Sequence, residues 1–188
     1  MSGLLRAGLV VWLAVAVAAC GFQLRGSMDW PEALAPVQIT GVNPRDSLYR
    51  ELAVAFGSAG VEVVDQRPEG QGATLDVRSV RDRRRTLSVT DAARVAEYEL
   101  IRSVEVRLRP VDGEAVDLGT LHASRIYLFD GSAVLSRSER EETLREAMNR
   151  DIVSQLQRRI EAVIGPDGRL RTDVEFEDDE PMTGEPTD

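Results

Sequence analysis

The chain has 188 residues, room for one domain of ordinary size beside a leader and a tail. Its formal net charge is −9, and it carries one cysteine, one histidine and 23 basic residues, all of them arginine. That inventory leaves no disulfide framework and no cysteine–histidine metal cluster, and the acidic balance gives nucleic-acid binding no support.

In chain order, Arg6 precedes an apolar run from Leu9 to Ala19. The run is shorter than the roughly 20 residues a membrane-spanning helix needs, and it reads as a targeting segment. Val17-Ala18-Ala19-Cys20 resembles a lipobox, an aliphatic and two small residues before an obligatory cysteine. The thiol is the nucleophile that takes a diacylglycerol, and small neighbours let a peptidase reach the chain at the bilayer surface. Residues 1–19 are therefore expected to be a signal peptide, Cys20 the lipidation site, and residues 20–35 a tether to the folded body. Two or three acyl chains, at about 0.8 kcal/mol per buried CH₂, hold a protein firmly on a membrane. Gly21, rather than aspartate, follows the cysteine, which in Gram-negative lipoproteins favours the outer membrane.

Residues 36–166 read as a single domain. Val37 to Val42 predicts a first strand. Asn43-Pro44 predicts the opening of a helix, asparagine as N-cap and proline at its first position. Leu48, Leu52, Ala55, Phe56 and Ala59 form one apolar stripe, and Gly60 is the expected stop. Val61 to Val64 and Ala73 to Val89 are strand-like around a bend at Gly70 and Gly72. Leu75 and Val77 share a parity that Val80 breaks, the mark of a bulge or an edge strand. From Glu97 to Arg109 alternation is regular: Tyr98, Leu100, Val104, Val106 and Leu108 on one face, Glu97, Glu99, Ser103, Glu105, Arg107 and Arg109 on the other. Asp112-Gly113 signals a hairpin into a last strand, Leu118 to Phe129. Ser138 with Glu141 reads as a capping box starting a long helix, striped by Leu144, Met148, Ile152, Leu156, Ile160 and Val163 and ended by Gly165-Pro166. Two amphipathic helices can bury their stripes only against an apolar sheet face, so the expected fold is a two-layer α/β domain. Residues 167–188 read as a disordered acidic tail. Eight acids and no base lie in 173–188, and without those eight the chain holds 24 acids against 23 bases.

A search for catalytic motifs finds no G-x-S-x-G elbow, H-E-x-x-H motif, Walker A loop or G-x-G-x-x-G fingerprint. His122, in the last strand, reads as a strand residue satisfied by a neighbour rather than as a base or metal ligand. Glu141 and Glu142 read as solvated helix acids. The expectation is a protein without enzymatic activity, cofactor or metal; a lipid-modifying hydrolase would depend on His122 and lacks a nucleophile motif. The arginine cluster leaves two readings open. Arg81, Arg83, Arg84 and Arg85, with Arg78 near them, could grip an anionic headgroup through bidentate guanidinium bonds. They could equally be a charged edge strand that blocks unwanted pairing.

The cysteine running into Gly21-Phe22-Gln23-Leu24-Arg25-Gly26 resembles the mature start of the LPS-assembly lipoprotein (LptE) family. Ala96-Glu97-Tyr98-Glu99-Leu100, Ser124-Arg125-Ile126-Tyr127 and the glutamate-rich start of the long helix, with Met148 and Leu156 within it, continue the likeness from Cys20 to Ile164. The resemblance implies two helices on one face of a four-stranded mixed sheet. It implies a plug inside the outer-membrane β-barrel that exports lipopolysaccharide (an LptD-like partner), assisting the barrel's assembly and binding lipopolysaccharide. A charged outer face over residues 97–109 suits a polar lumen. The resemblance places a lipid-contacting base at Arg137. A second loop, Val89-Thr90-Asp91-Ala92-Ala93, carries an acid where relatives can carry a base, and Arg83, Arg84 and Arg85 are the candidates to replace it. The alternative function is a periplasmic-facing scaffold lipoprotein of another envelope machine.

Overall fold

The computed structural model describes residues 30–89, 95–128 and 134–176, with the side chains of 89, 95, 96 and 134–137 outside that description. The leader, Cys20, most of the tether, the loop 90–94 and residues 177–188 therefore lie outside the described residues.

Five strands and two helices build the described body. They are β1 (Val37–Thr40), α1 (Ser47–Ser58), β2 (Val63–Val64), β3 (Ala73–Val89), β4 (Val95–Pro110), β5 (Val116–Leu128) and α2 (Val134–Val163). The sheet runs in the order β2-β1-β3-β4-β5. β1 pairs in parallel with both β2 and β3, and β3, β4 and β5 form an antiparallel meander. The α/β two-layer class agrees with the sequence, but the expected four strands are five. The difference is that the segment read as strand-like on either side of the Gly70 and Gly72 bend forms two strands, β2 beside β1 on one side of it and β3 on the other.

Helix α1 begins later than Asn43-Pro44 suggests. Asn43 instead closes a turn, accepting from the Arg45 amide at 2.9 Å, and Asp46 is the N-cap, accepting from Leu48 N at 2.8 Å. Its C-terminus is a Schellman motif: Gly60 N reaches Gly57 O at 3.0 Å and Val61 N reaches Phe56 O at 3.0 Å. Gly60 adopts φ 76°, open to glycine at no steric cost. Leu48, Leu52 and Phe56 of the stripe are buried. Helix α2 begins at least four residues before Ser138, so that serine lies inside the helix and not at its N-cap. Glu141, the other half of the expected capping box, has its carboxylate turned to the sheet.

The bulge expected near Val80 is present, as a register shift between Val77 and Ser79 against β4. A second shift, between Glu105 and Arg107, lets Leu118 and Leu121 of β5 both face the core. Gly119, φ 69°, stands between them. One core joins Val37, Leu75, Val104, Val106, Leu108, Leu118 and Leu121 of the sheet to Leu48, Leu52, Met148, Ile152, Leu156 and Ile160 of the helices.

Both ends of the body extend past the expected boundaries. Before residue 36, Glu32–Leu34 form a single 3-10 turn, Leu34 is buried, and Trp30 meets Phe56 edge-on at 5.2 Å. After residue 166, the first part of the expected tail folds back. Arg171 N bonds Val163 O at 2.8 Å, and Leu170, Val174 and Phe176 pack against the core. An acidic composition does not prevent this, because Val174 and Phe176 alternate with the acids and Leu170 lies between Arg169 and Arg171.

Candidate functional site

Strand alternation decides where the arginine cluster goes. Arg84 pairs across the ladder with Leu100 and shares the helix-facing side, whereas Arg83 and Arg85 pair with Ile101 and Glu99 and take the opposite face. Arg85 makes two bonds to Glu99 Oε2, at 2.6 and 3.0 Å, and Arg83 is exposed without an ion pair among the described residues. Arg137 lies in the first turns of α2, and its side chain is outside the described residues. The structure therefore does not bring Arg83, Arg84 and Arg85 to one point.

What it does bring together lies between the far ends of β3, β4 and β5 and the first half of α2. Arg102 points inward from the face shared by Leu100 and Val104 and is only 6 % exposed. Its guanidinium grips Asp82 with two parallel bonds, 2.7 and 2.8 Å, and donates to Asn149 Oδ1 at 2.5 Å. Asn149, fully buried on α2, donates in turn to Ser47 Oγ of α1 at 2.9 Å. The hydrogen bonding to Asp82 outweighs burial and holds the Arg102 pKa above its ordinary value. Sequence reasoning missed this residue. A charged side chain at the parity of an otherwise apolar stripe was the available signal, since such a group must be paired when buried.

About two turns from Asn149 toward the N-terminus of α2, Glu141 is the centre of a second cluster. Tyr127 Oη donates to its Oε1 at 2.7 Å, Arg84 Nη1 approaches the same oxygen at 3.4 Å, and Arg145 Nη2 reaches Oε2 at 3.1 Å. The Arg84 guanidinium also lies over the Tyr98 ring at 4.9 Å, and the Tyr98 and Tyr127 rings are 5.7 Å apart. Burial raises the Glu141 pKa, but Tyr127, Arg145 and Arg84 together hold it below the usual carboxylate value. Burial, then the bond to Glu141, raises the Tyr127 phenol. Glu141 is thus no solvated helix acid, in contrast to the sequence reading; Glu142 is exposed, as expected. A cleft of about 250 Å³ opens beside this cluster, floored by Leu100 and Met148 and edged by Arg84, Arg145 and Asp82.

His122 sits with Nδ1 2.9 Å from Ser103 Oγ, satisfied by a neighbour. Among the described residues no group of three or more histidine, cysteine or acidic side chains could hold a metal ion, and no described helix is long and apolar enough to cross a membrane.

A family model described as LptE, lipopolysaccharide-assembly, matches residues 34–160, more than half of the chain. The chain belongs to the LptE family. An LPS-assembly lipoprotein LptE of Pectobacterium atrosepticum is 25 % identical over 158 residues, covering 84 % of this chain and 85 % of the relative. One of Yersinia enterocolitica is 25 % identical over 153 residues, covering 81 % and 73 %. Among solved structures, a lipoprotein B of Nitrosomonas europaea superposes with a TM-score of 0.57 and 26 % identity, covering 76 % of this chain and 91 % of that one. Rare lipoprotein B of Shewanella oneidensis gives 0.58 at 24 % identity, covering 68 % and 94 %, a likeness of fold. The LptE match takes in β1 through most of α2, and with them both polar clusters and Arg83, Arg84, Arg85 and Arg137.

Proposed function

We propose that this LptE-family chain is an outer-membrane lipoprotein, anchored through Cys20, that plugs and helps assemble the lipopolysaccharide-export β-barrel. In this reading it binds lipopolysaccharide during its insertion at the cell surface and performs no chemistry of its own. Membership of the family supports the role in lipopolysaccharide assembly, and that match is the observation that carries the reading.

Two features of the body support the finer parts. The outer face of β3, β4 and β5 carries paired polar groups, with Arg85 on Glu99, Arg107 on Asp117 at 3.0 Å, and Ser88 on Glu97 at 2.7 Å, beside the exposed apolar Ile126 and Leu128. The paired charges of this face suit the polar lumen of a wide barrel. The outer face also presents Arg83 without an ion pair among the described residues, while Arg85 is held by Glu99 and Arg84, on the helix-facing side, by Glu141, so Arg83 is the most available of the three for the phosphates of lipopolysaccharide.

The reading is tested by solubilising envelopes in detergent and recovering the lipidated protein with whatever accompanies it. A large β-barrel should come with it in stable stoichiometry. Recovery of the protein alone, with lipopolysaccharide transport unimpaired in cells lacking it, overturns the plug. Replacing Arg83, Arg84, Arg85 and Arg137 together should weaken lipopolysaccharide capture; unchanged capture removes these residues from the site.

A further inference from the structure

We propose that Arg84, Arg145 and the Tyr127 hydroxyl form a binding site for a phosphate monoester, and that Glu141 is its built-in substitute. The donors converge on one point: Tyr127 Oη and Arg84 Nη1 on Oε1 of Glu141, and Arg145 Nη2 on its Oε2. Two guanidiniums and a hydroxyl are the donor set that a phosphate's three oxygens and near-double negative charge require. A carboxylate satisfies it with only two oxygens and one charge.

Three observations mark Glu141 as exchangeable. Its contact with Arg84 is 3.4 Å, long for a charge-assisted bond, and the Arg84 side chain is half exposed. The cleft beside it has about 250 Å³ in which a tetrahedral group can take its place, against Leu100 and Met148. The other acids near Arg145 are already matched. Asp82 is held by the bidentate Arg102, and Glu142 lies 3.3 Å from Arg145 Nη1, leaving Nη2 to Glu141. The Arg102–Asp82 pair, short and anchored on a buried guanidinium, keeps the frame in place while Glu141 exchanges.

The site stands on its own geometry; that its phosphate comes from a glycolipid headgroup rests on the lipopolysaccharide reading above. The experiment uses the mature lipidated chain in detergent micelles, titrated with inorganic phosphate at fixed ionic strength and monitored by the Nε–H resonances of its arginines. Glu141→Gln, which keeps size and the Tyr127 acceptor but removes the competing charge, should bind phosphate about ten-fold tighter than wild type. Adding Arg84→Gln should cancel the gain, and Arg107→Gln, on the outer face, should leave it intact. In the wild-type chain saturable shifts should centre on Arg84 and Arg145, a reading that needs no variant. Shifts spread evenly over the exposed arginines, or a folded Glu141→Gln no tighter than wild type, overturn the site. Capture on immobilised lipopolysaccharide separates the sources. A parallel gain by Glu141→Gln assigns the lipid phosphate, and a gain with inorganic phosphate alone assigns free phosphate. No capture by either protein removes the lipopolysaccharide reading while the titration still decides the site.

Discussion

Arg102 ties four elements through one side chain: β3 by Asp82, its own β4, α2 by Asn149 and, through that amide, α1 by Ser47. Truncation would leave Asn149 buried and half satisfied and Asp82 without its cation. Arg102→Ala is therefore expected to cost about 3 kcal/mol, the lower end for a broken buried pair because Asp82 reaches solvent. Urea denaturation measures it, and a loss below about 1 kcal/mol removes the hub from the account. Glu141 gives the second residue-scale prediction. Its folded pKa lies below the ordinary value of about 4.3, so the unfolded chain takes up the proton first as pH falls. Its contribution is complete above that ordinary value and disappears as pH drops through the folded pKa. Wild type should lose more stability between pH 7 and about pH 3 than Glu141→Gln does, and equal losses in the two proteins would contradict it.

At the scale of elements, ends and crossings decide more than interiors. The N-cap of α1 is Asp46, and Asp46→Ala should lower stability by about 1 kcal/mol, whereas Asn43→Ala, which loosens only the preceding turn, should cost less. Ranking the two by chemical denaturation tests the reassigned start of α1. Where β1 leaves the sheet, Gly41 adopts φ 80°, and a Cβ there would fall 1.9 Å from the Val77 carbonyl oxygen. Gly41→Ala must move β3 or abandon the left-handed turn, a cost of at least about 2 kcal/mol. A variant as stable as wild type in the same measurement would mean that the β1–β3 crossing yields.

For the whole molecule, the segment C-terminal to α2 closes the body. Ending the chain after Asp167 removes Leu170, Val174 and Phe176 from the core. It also removes the Phe176 ring, over which Arg159 sits at 5.1 Å. A thermal midpoint lower by about 4 °C or more is expected, since 1 kcal/mol moves a domain of this size by roughly 2–4 °C. An unchanged midpoint would return the boundary to residue 166.

Period and punctuation alone determined the elements here. Alternation in β4, the stripes of both helices, the parity break near Val80, the stop at Gly60 and the hairpin at Asp112-Gly113 are local properties of the chain, and local sterics and burial enforce them. The two-layer class came with them, because striped helices need a sheet to cover. The pairing of distant groups was decided only in three dimensions. β2 pairs with β1 rather than with β3, the strand that follows it; Ser138 is interior because the helix continues over the sheet; Glu141 is an ion-pair centre because Arg84 and Tyr127 arrive from strands 57 and 14 residues away. Arginines adjacent in sequence part to opposite faces by the pleat of β3, and Arg102 becomes buried because Asp82 and Asn149 meet it there. Charge along a chain says how much must be neutralised; only the fold says by whom.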